Sequence, residues 1–151
     1  MSTKISDLAP EVAALALSAI QSMIERHVGH AVTSTLRTQA EQEALYAQGR
    51  KDLQKVNDLR KAAGMRPIAP SENRYTVTNA DGVVHKSNHQ SGRAIDIVPI
   101  DEKMNPEWPP ASDVRWLMIA TVMREFGFTW GGDWTRAKNG IDPDYPHYEY
   151  V

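Results

Sequence analysis

The sequence predicts one domain that mixes amphipathic helices with short alternating strands. Three observations predict it. An apolar series with helical spacing lies near the N-terminus, a second lies between Ser112 and Phe126, and stretches such as Ala94–Val98 alternate with period two. A chain of 151 residues, 41% of them hydrophobic, is long enough for one core and short for two. A single domain spanning 1–151, with no separate binding module, is therefore expected.

Composition narrows the function classes. The formal net charge of -2, with signs interspersed, gives no electrostatic case for nucleic acid as a partner. The absence of cysteine excludes disulfides and thiolate metal sites, so a metal here must be held by nitrogen and oxygen. The apolar run Val12–Ile20 is too short to cross a bilayer, and acidic Asp7 and Glu11 precede it with only Lys4 as a basic flank. That makes a poor signal peptide, so accumulation in the cytoplasm without stable membrane insertion is expected.

Ile5, Leu8, Val12, Leu15, Ala19 and Met23 follow helical spacing, which predicts a helix from about Pro10 to Val28 with Pro10 in its first turn and Gly29 at its end. His27 and His30 have no accompanying carboxylate and read as partners of the helix dipole. A strand from His30 to Thr38 then delivers Arg37 to its C-terminal end, and a helix from Ala40 to Tyr46 closes at Gly49. Residues 50–74 form a basic, partly helical insert in which Leu53, Val56 and Leu59 rest on the domain while lysines face water. It reads as a solvated flap or, more sharply, as a surface for an anionic polymer. Tyr75–Thr78 and Val83–Val84 flank the turn signal Asn79-Ala80-Asp81-Gly82 and predict a hairpin. After the Pro106–Pro110 loop, Ser112 caps a helix to about Phe126, and Gly127 ends it. In Trp130-Gly131-Gly132-Asp133-Trp134 the paired glycines serve either turn and packing needs or an aromatic wall beside a ligand. The tail His147–Tyr150 alternates as a last strand, with His147 and Glu149 on one face.

The chemistry concentrates in Ser87-Asn88-His89-Gln90-Ser91-Gly92-Arg93-Ala94-Ile95-Asp96. Ile95 and Ile97 face one way and Asp96 the other, so a carboxylate inside an apolar strand needs a partner for its charge, and a divalent cation would be one. His89 and Asp96 supply two ligands, and His147 near the C-terminus is the candidate third. His85 lies four residues before His89 but lacks the helical context and the glutamate of the helical zinc-protease pattern. Three ligands leave a fourth position for a water brought toward neutral pKa. Asp144, in a turn stiffened by Pro143 and Pro146, fits the base that takes its proton, and an arginine at the substrate carbonyl would stabilise the oxyanion.

These residues resemble the zinc peptidases of peptidoglycan, a VanY-like family that includes D-alanyl-D-alanine carboxypeptidases and dipeptidases and the phage L-alanyl-D-glutamate endolysins. Ser87-x-His89-x-x-Gly92-x-Ala94-x-Asp96 is similar to the first metal motif, Asp144-x-x-His147-Tyr148-Glu149 to the second, and Trp130–Trp134 to the segment between them. Thr33-Ser34-x-Leu36-Arg37-Thr38, continuing to Gln42, Leu45-Tyr46 and Gly49-Arg50, is similar to the arginine-bearing segment. The resemblance implies an α+β fold, a small antiparallel sheet with helices packed on it, as in the Hedgehog and DD-peptidase domains. It implies Zn2+ on His89, Asp96 and His147, Asp144 as base, Arg37 stabilising the tetrahedral intermediate, and substrate contacts from Ser87, Trp130, Asp133 and Trp134. The base is Asp where the dipeptidase branch has Glu, which points to the endolysin branch. Residues 50–74 are longer than the pattern requires. The expectation is a monomeric lysin that cuts the L-alanyl-D-glutamate bond of stem peptides after waiting in the host cytoplasm. D-alanyl-D-alanine hydrolysis is the alternative, and a zinc-containing domain that only binds wall or builds a phage particle is a third reading.

Overall fold

The computed structural model describes all residues, Met1–Val151. Helix α1 spans Pro10–Glu25, β1 Ala31–Ser34, α2 Gln39–Ala47, α3 Leu53–Ala62, β2 Ala94–Val98, α4 Val114–Glu125, β3 Thr129–Trp130, α5 Arg136–Asn139 and β4 His147–Glu149. The strands form one antiparallel sheet in the order β1-β2-β4-β3. This is the expected α+β architecture.

Register explains the two faces of the sheet. Ile95 pairs with Tyr148 and Tyr148 with Trp130, while Asp96 pairs with His147 and Ala94 with Glu149. Directly opposed residues share a face. The Ile95–Tyr148–Trp130 face therefore packs against α1 and α4, where Val12, Ala16, Ala19, Met23, Ile119, Ala120 and Met123 complete a core cluster of 17 buried residues. The opposite face is left to Asp96, His147 and Glu149. A second, small cluster of Ala47, Val56 and Ile68 joins α2 to α3.

Several element ends differ from expectation for local reasons. Helix α1 stops at Glu25, because His27 takes the left-handed conformation (φ 57°) and the Val28 N–H returns to the Met23 carbonyl at 2.8 Å. Histidine tolerates that region better than most non-glycine residues. Asp113, not Ser112, caps α4, its carboxylate accepting the Arg115 N–H at 2.9 Å. Strand β1 is shorter than 30–38, so Arg37 lies beyond it in the extended link to α2. The expected hairpin over 75–84 does not form. Asp81 Oδ1 instead accepts the N–H groups of Val83, Val84 and His85 at 2.8, 2.9 and 2.9 Å, a turn that consumes the amides a second strand would need. The insert is helical as expected, with Val56 buried and Leu53 and Leu59 half-buried against the small core.

Candidate active site

Strand register brings Asp96 and His147 side by side, and a one-turn 3-10 helix, Asn88–Ser91, brings His89 over them. Ser87 starts that turn: its hydroxyl accepts the His89 N–H at 3.3 Å while the Gln90 side chain accepts the Ser87 N–H at 2.9 Å. Gly92 ends it with φ 68°, and a Cβ there would stand 2.7 Å from the Ala9 amide nitrogen, so both conformation and space call for glycine. Ser87 therefore has a structural role beside the site.

The three side chains offer ligand atoms within 4.8 Å of one another. His89 Nε2 lies 3.1 Å from Asp96 Oδ1, and His147 Nδ1 lies 3.4 Å from the same oxygen. Ligands held about 2.0–2.1 Å from a tetrahedral ion are separated by roughly 3.3 Å, so this spacing fits a zinc-sized cation.

The partners of the other ring nitrogens decide how each histidine would bind. His89 Nδ1 lies 2.7 Å from the Thr35 carbonyl, which can only accept, so Nδ1 carries the proton and Nε2 is free to ligate. His147 Nε2 lies 2.9 Å from Glu149 Oε2, so Nε2 donates and Nδ1 is the ligand atom. Glu149 is itself held by the Asn88 side-chain amide at 2.9 Å. The two histidines thus present opposite ring nitrogens to one point.

Electrostatics match this arrangement. Burial alone would raise the Asp96 carboxyl, but the His147 and His89 rings set against its oxygens outweigh it and hold the group well below the usual carboxylate range. Burial would lower His147, but Asp96 and Glu149 raise it to about 9. With no cation bound, a proton on His147 balances the two carboxylates.

Arg37 is buried, and its Nη2 lies 3.5 Å from Asp96 Oδ2. Burial pushes the guanidinium down while Asp96 and Asp144 pull it back up, and it stays cationic. Gln42, fully buried, accepts from Arg37 Nη1 at 2.9 Å and donates to the Ala80 carbonyl at 2.8 Å. It ties the arginine to the loop that leads toward His89. Arg37 Nε is buried without a partner, a free donor beside the cluster.

Asp144 belongs to the same constellation. Asp144 is exposed, yet the protein atoms around its carboxyl and the Asp96 charge together raise it above the ordinary aspartate range. Gly131 explains how its turn approaches: a Cβ there would lie 2.5 Å from the Asp144 carbonyl oxygen and 3.1 Å from His147 Cβ, and the Asp144 N–H donates to the Gly131 carbonyl at 2.9 Å.

The Trp130–Trp134 segment divides between the two readings of it. Trp130 is buried in the main core with its Nε1 donating to the Tyr145 carbonyl at 2.7 Å, and Asp133 pairs with Arg124 at the surface, so neither forms a wall of the site. Trp134 is half-buried with its ring centroid 5.0 Å from that of His147, the one aromatic face at the cluster. His85 is exposed and faces Asp81, away from the ligand set. The roles of Glu149 and the Thr35 carbonyl escaped the sequence reading. Glu149 had a visible signal, since it lies two residues from His147 on the same strand face.

Two imidazoles and a carboxylate that would hold a cation, with Arg37 and Asp144 close enough to act on the same charges, form the layout of a metallopeptidase. Comparison with known proteins agrees. Residues 81–150, which contain all three candidate ligands and Asp144, match the family described as D-alanyl-D-alanine carboxypeptidase. The chain is 28% identical over 152 residues to the peptidoglycan L-alanyl-D-glutamate endopeptidase CwlK of Bacillus subtilis (strain 168), covering 97% of this chain and 75% of that one. Its fold is similar to the LdcB LD-carboxypeptidase (TM-score 0.62, 16% identity), covering 95% of this chain and 59% of that one. It is similar also to a variant of the vancomycin-resistance D,D-pentapeptidase VanY solved with Zn(II) (TM-score 0.61, 19% identity, 95% of this chain and 72% of that one). Over residues 81–150 the chain is thus similar to a D-alanyl-D-alanine carboxypeptidase family, and over nearly its whole length to a peptidoglycan endopeptidase.

Proposed function

We propose that this chain is a zinc-dependent peptidoglycan endopeptidase that hydrolyses the L-alanyl-D-glutamate bond of stem peptides, acting as a monomeric phage lysin that waits in the host cytoplasm until lysis. The observation that carries the reading is the Asp144–His147 turn beside the His89–Asp96 pair, with Arg37 tethered at Asp96. CwlK, with the same named bond, supports the choice of substrate. The aspartate at the base position supports the lysin branch. No helix of the chain is long and apolar enough to cross a membrane.

His89 Nε2, Asp96 and His147 Nδ1 would hold the zinc, which would supply Lewis acidity and lower the pKa of water at the site. The chain's own groups do the rest. Asp144, its basicity raised, accepts the proton of the attacking water and returns it to the leaving amine. Arg37 donates to the oxygen on which negative charge develops, a role it can take without reorganising because Gln42 and Ser34 fix its guanidinium. Trp134 shields the His147 side from water. Glu149 keeps His147 in the ligating tautomer.

Digestion of purified peptidoglycan with mass analysis of the products tests the bond. Peptides that begin with D-glutamate, leaving L-alanine on the glycan, are expected. Free D-alanine would move the reading to carboxypeptidase, the activity in the description of the matched family. For the lysin role, the purified protein should clear suspensions of permeabilised cells, and walls left intact would reject it.

A further inference from the structure

A groove of about 370 Å3 lies away from the ligand cluster, between α2 and α3. Tyr46, Ala47 and Leu59 supply its apolar surface, and Arg50, Lys51 and Lys55 its cations. Its two acidic residues are already engaged. Asp81 Oδ1 accepts three backbone N–H groups, and Glu43 accepts the Gln39 side-chain amide at 2.8 Å. Arg50 stacks over the Tyr46 ring at 4.0 Å and donates to the Tyr46 carbonyl at 2.7 Å, so its position is fixed. Lys51 and Lys55 are exposed and make no ion pair. An apolar surface with one fixed and two unpaired cations suits a carboxylate on a short apolar stem.

The groove shares structure with the catalytic side. Glu43 follows Gln42 on α2, about 100° around the helix. Gln42 holds Arg37 on one side and the Thr78–Ala80 loop on the other, and the next residue of that loop, Asp81, lines the groove. The cluster and the groove are therefore joined through one buried side chain, Gln42, and one short loop.

We propose that this groove is a second substrate subsite, which binds the free carboxylate at the far end of the stem peptide whose scissile bond lies at the His89–Asp96–His147 cluster. The inference rests on the peptidoglycan-peptidase reading and deepens it: residues 50–62 then select stems by length and terminal charge.

The test is a nuclear magnetic resonance titration of the zinc-loaded protein with a stem tetrapeptide whose scissile amide is replaced by a non-hydrolysable methylene amine, as free acid and as C-terminal amide. The free acid should shift Tyr46 and Trp134 signals together, and the amide only Trp134. Replacing Lys51→Glu with Lys55→Glu should abolish the Tyr46 response, keep that of Trp134, and weaken the acid about tenfold, to the affinity of the amide. Lys55 is the third residue of α3 after its Asp52 cap, where glutamate is well tolerated, so the fold should be kept. Equal binding of acid and amide with Trp134 shifts alone would overturn the subsite and leave the peptidase reading standing. Tyr46 shifts without any at Trp134 would overturn the shared-substrate proposal and count against the peptidase reading. No shift at either would overturn both.

Discussion

The two halves of the molecule differ in how their functional groups are held. The sheet half anchors two of its candidate ligands, Asp96 and His147, on paired strands backed by a core of 17 buried residues and the third, His89, on the turn before β2, and each histidine has a fixed partner for its second nitrogen. The α2–α3 half rests on a core of three, and its groove cations Arg50, Lys51 and Lys55 stand in solvent. Geometry that must be kept within a fraction of an ångström sits where deformation is costly, and recognition of a flexible polymer sits where side chains can adjust. Arg37 and Gln42 join the halves.

If the sheet half carries the chemistry, the largest losses come from its ligands. His89→Ala or Asp96→Ala should lose bound zinc and lower activity by about 10³-fold or more, because a Lewis acid contributes several kcal/mol to the barrier. Metal analysis and turnover on purified wall check this together. Asp144→Ala should keep zinc and fold but lose roughly 10²–10⁴ in kcat, and Arg37→Ala about 10²–10³. Full lytic activity in Asp144→Ala would remove it from the base role. A smaller effect is expected at Glu149→Gln, where zinc affinity should fall about 10–100-fold, as competition with a chelating dye would show.

The same contrast should appear in stability. Ile119→Ala in the large core should cost about 2–5 kcal/mol by urea unfolding. Val56→Ala in the small one should cost no more than roughly 2 kcal/mol. Equal costs would break the division between the halves.

The smallest effect is a pH dependence in the zinc-free protein. The folded pKa of His147 is raised to about 9, above the ordinary value of 6.5. A raised basic group contributes stability that is complete below about pH 6.5 and is lost as pH rises through about 9. Melting temperature in the presence of chelator should therefore fall across that window, and zinc should remove the dependence. A flat profile without zinc would contradict the Asp96–His147–Glu149 pairing.

Much of the site was legible because strand alternation is a local property. The period of two separates Asp96 from Ile95 and Ile97, and it puts His147 and Glu149 on one face. The direct pairing of Asp96 with His147 depends on inter-strand register, which no local pattern specifies. The hairpin over 75–84 was misread because one carboxylate, Asp81, outcompetes strand pairing for three amides. Trp130 and Trp134 look alike in sequence. Their separation into core and site follows from Trp130 standing opposite Tyr148 on the helix-packed face. The part played by Gly131 needed the approach of a turn 13 residues later, a contact invisible in the chain order.

The most direct measurement of the central claim is digestion of purified peptidoglycan by the protein as isolated, after stripping with a chelator, and after adding zinc back, with released peptides identified by mass. D-glutamate-first peptides are expected from the isolated protein, none after stripping, and recovery with zinc that fails in Asp96→Ala. Undiminished release of the same peptides by zinc-stripped protein would contradict that claim.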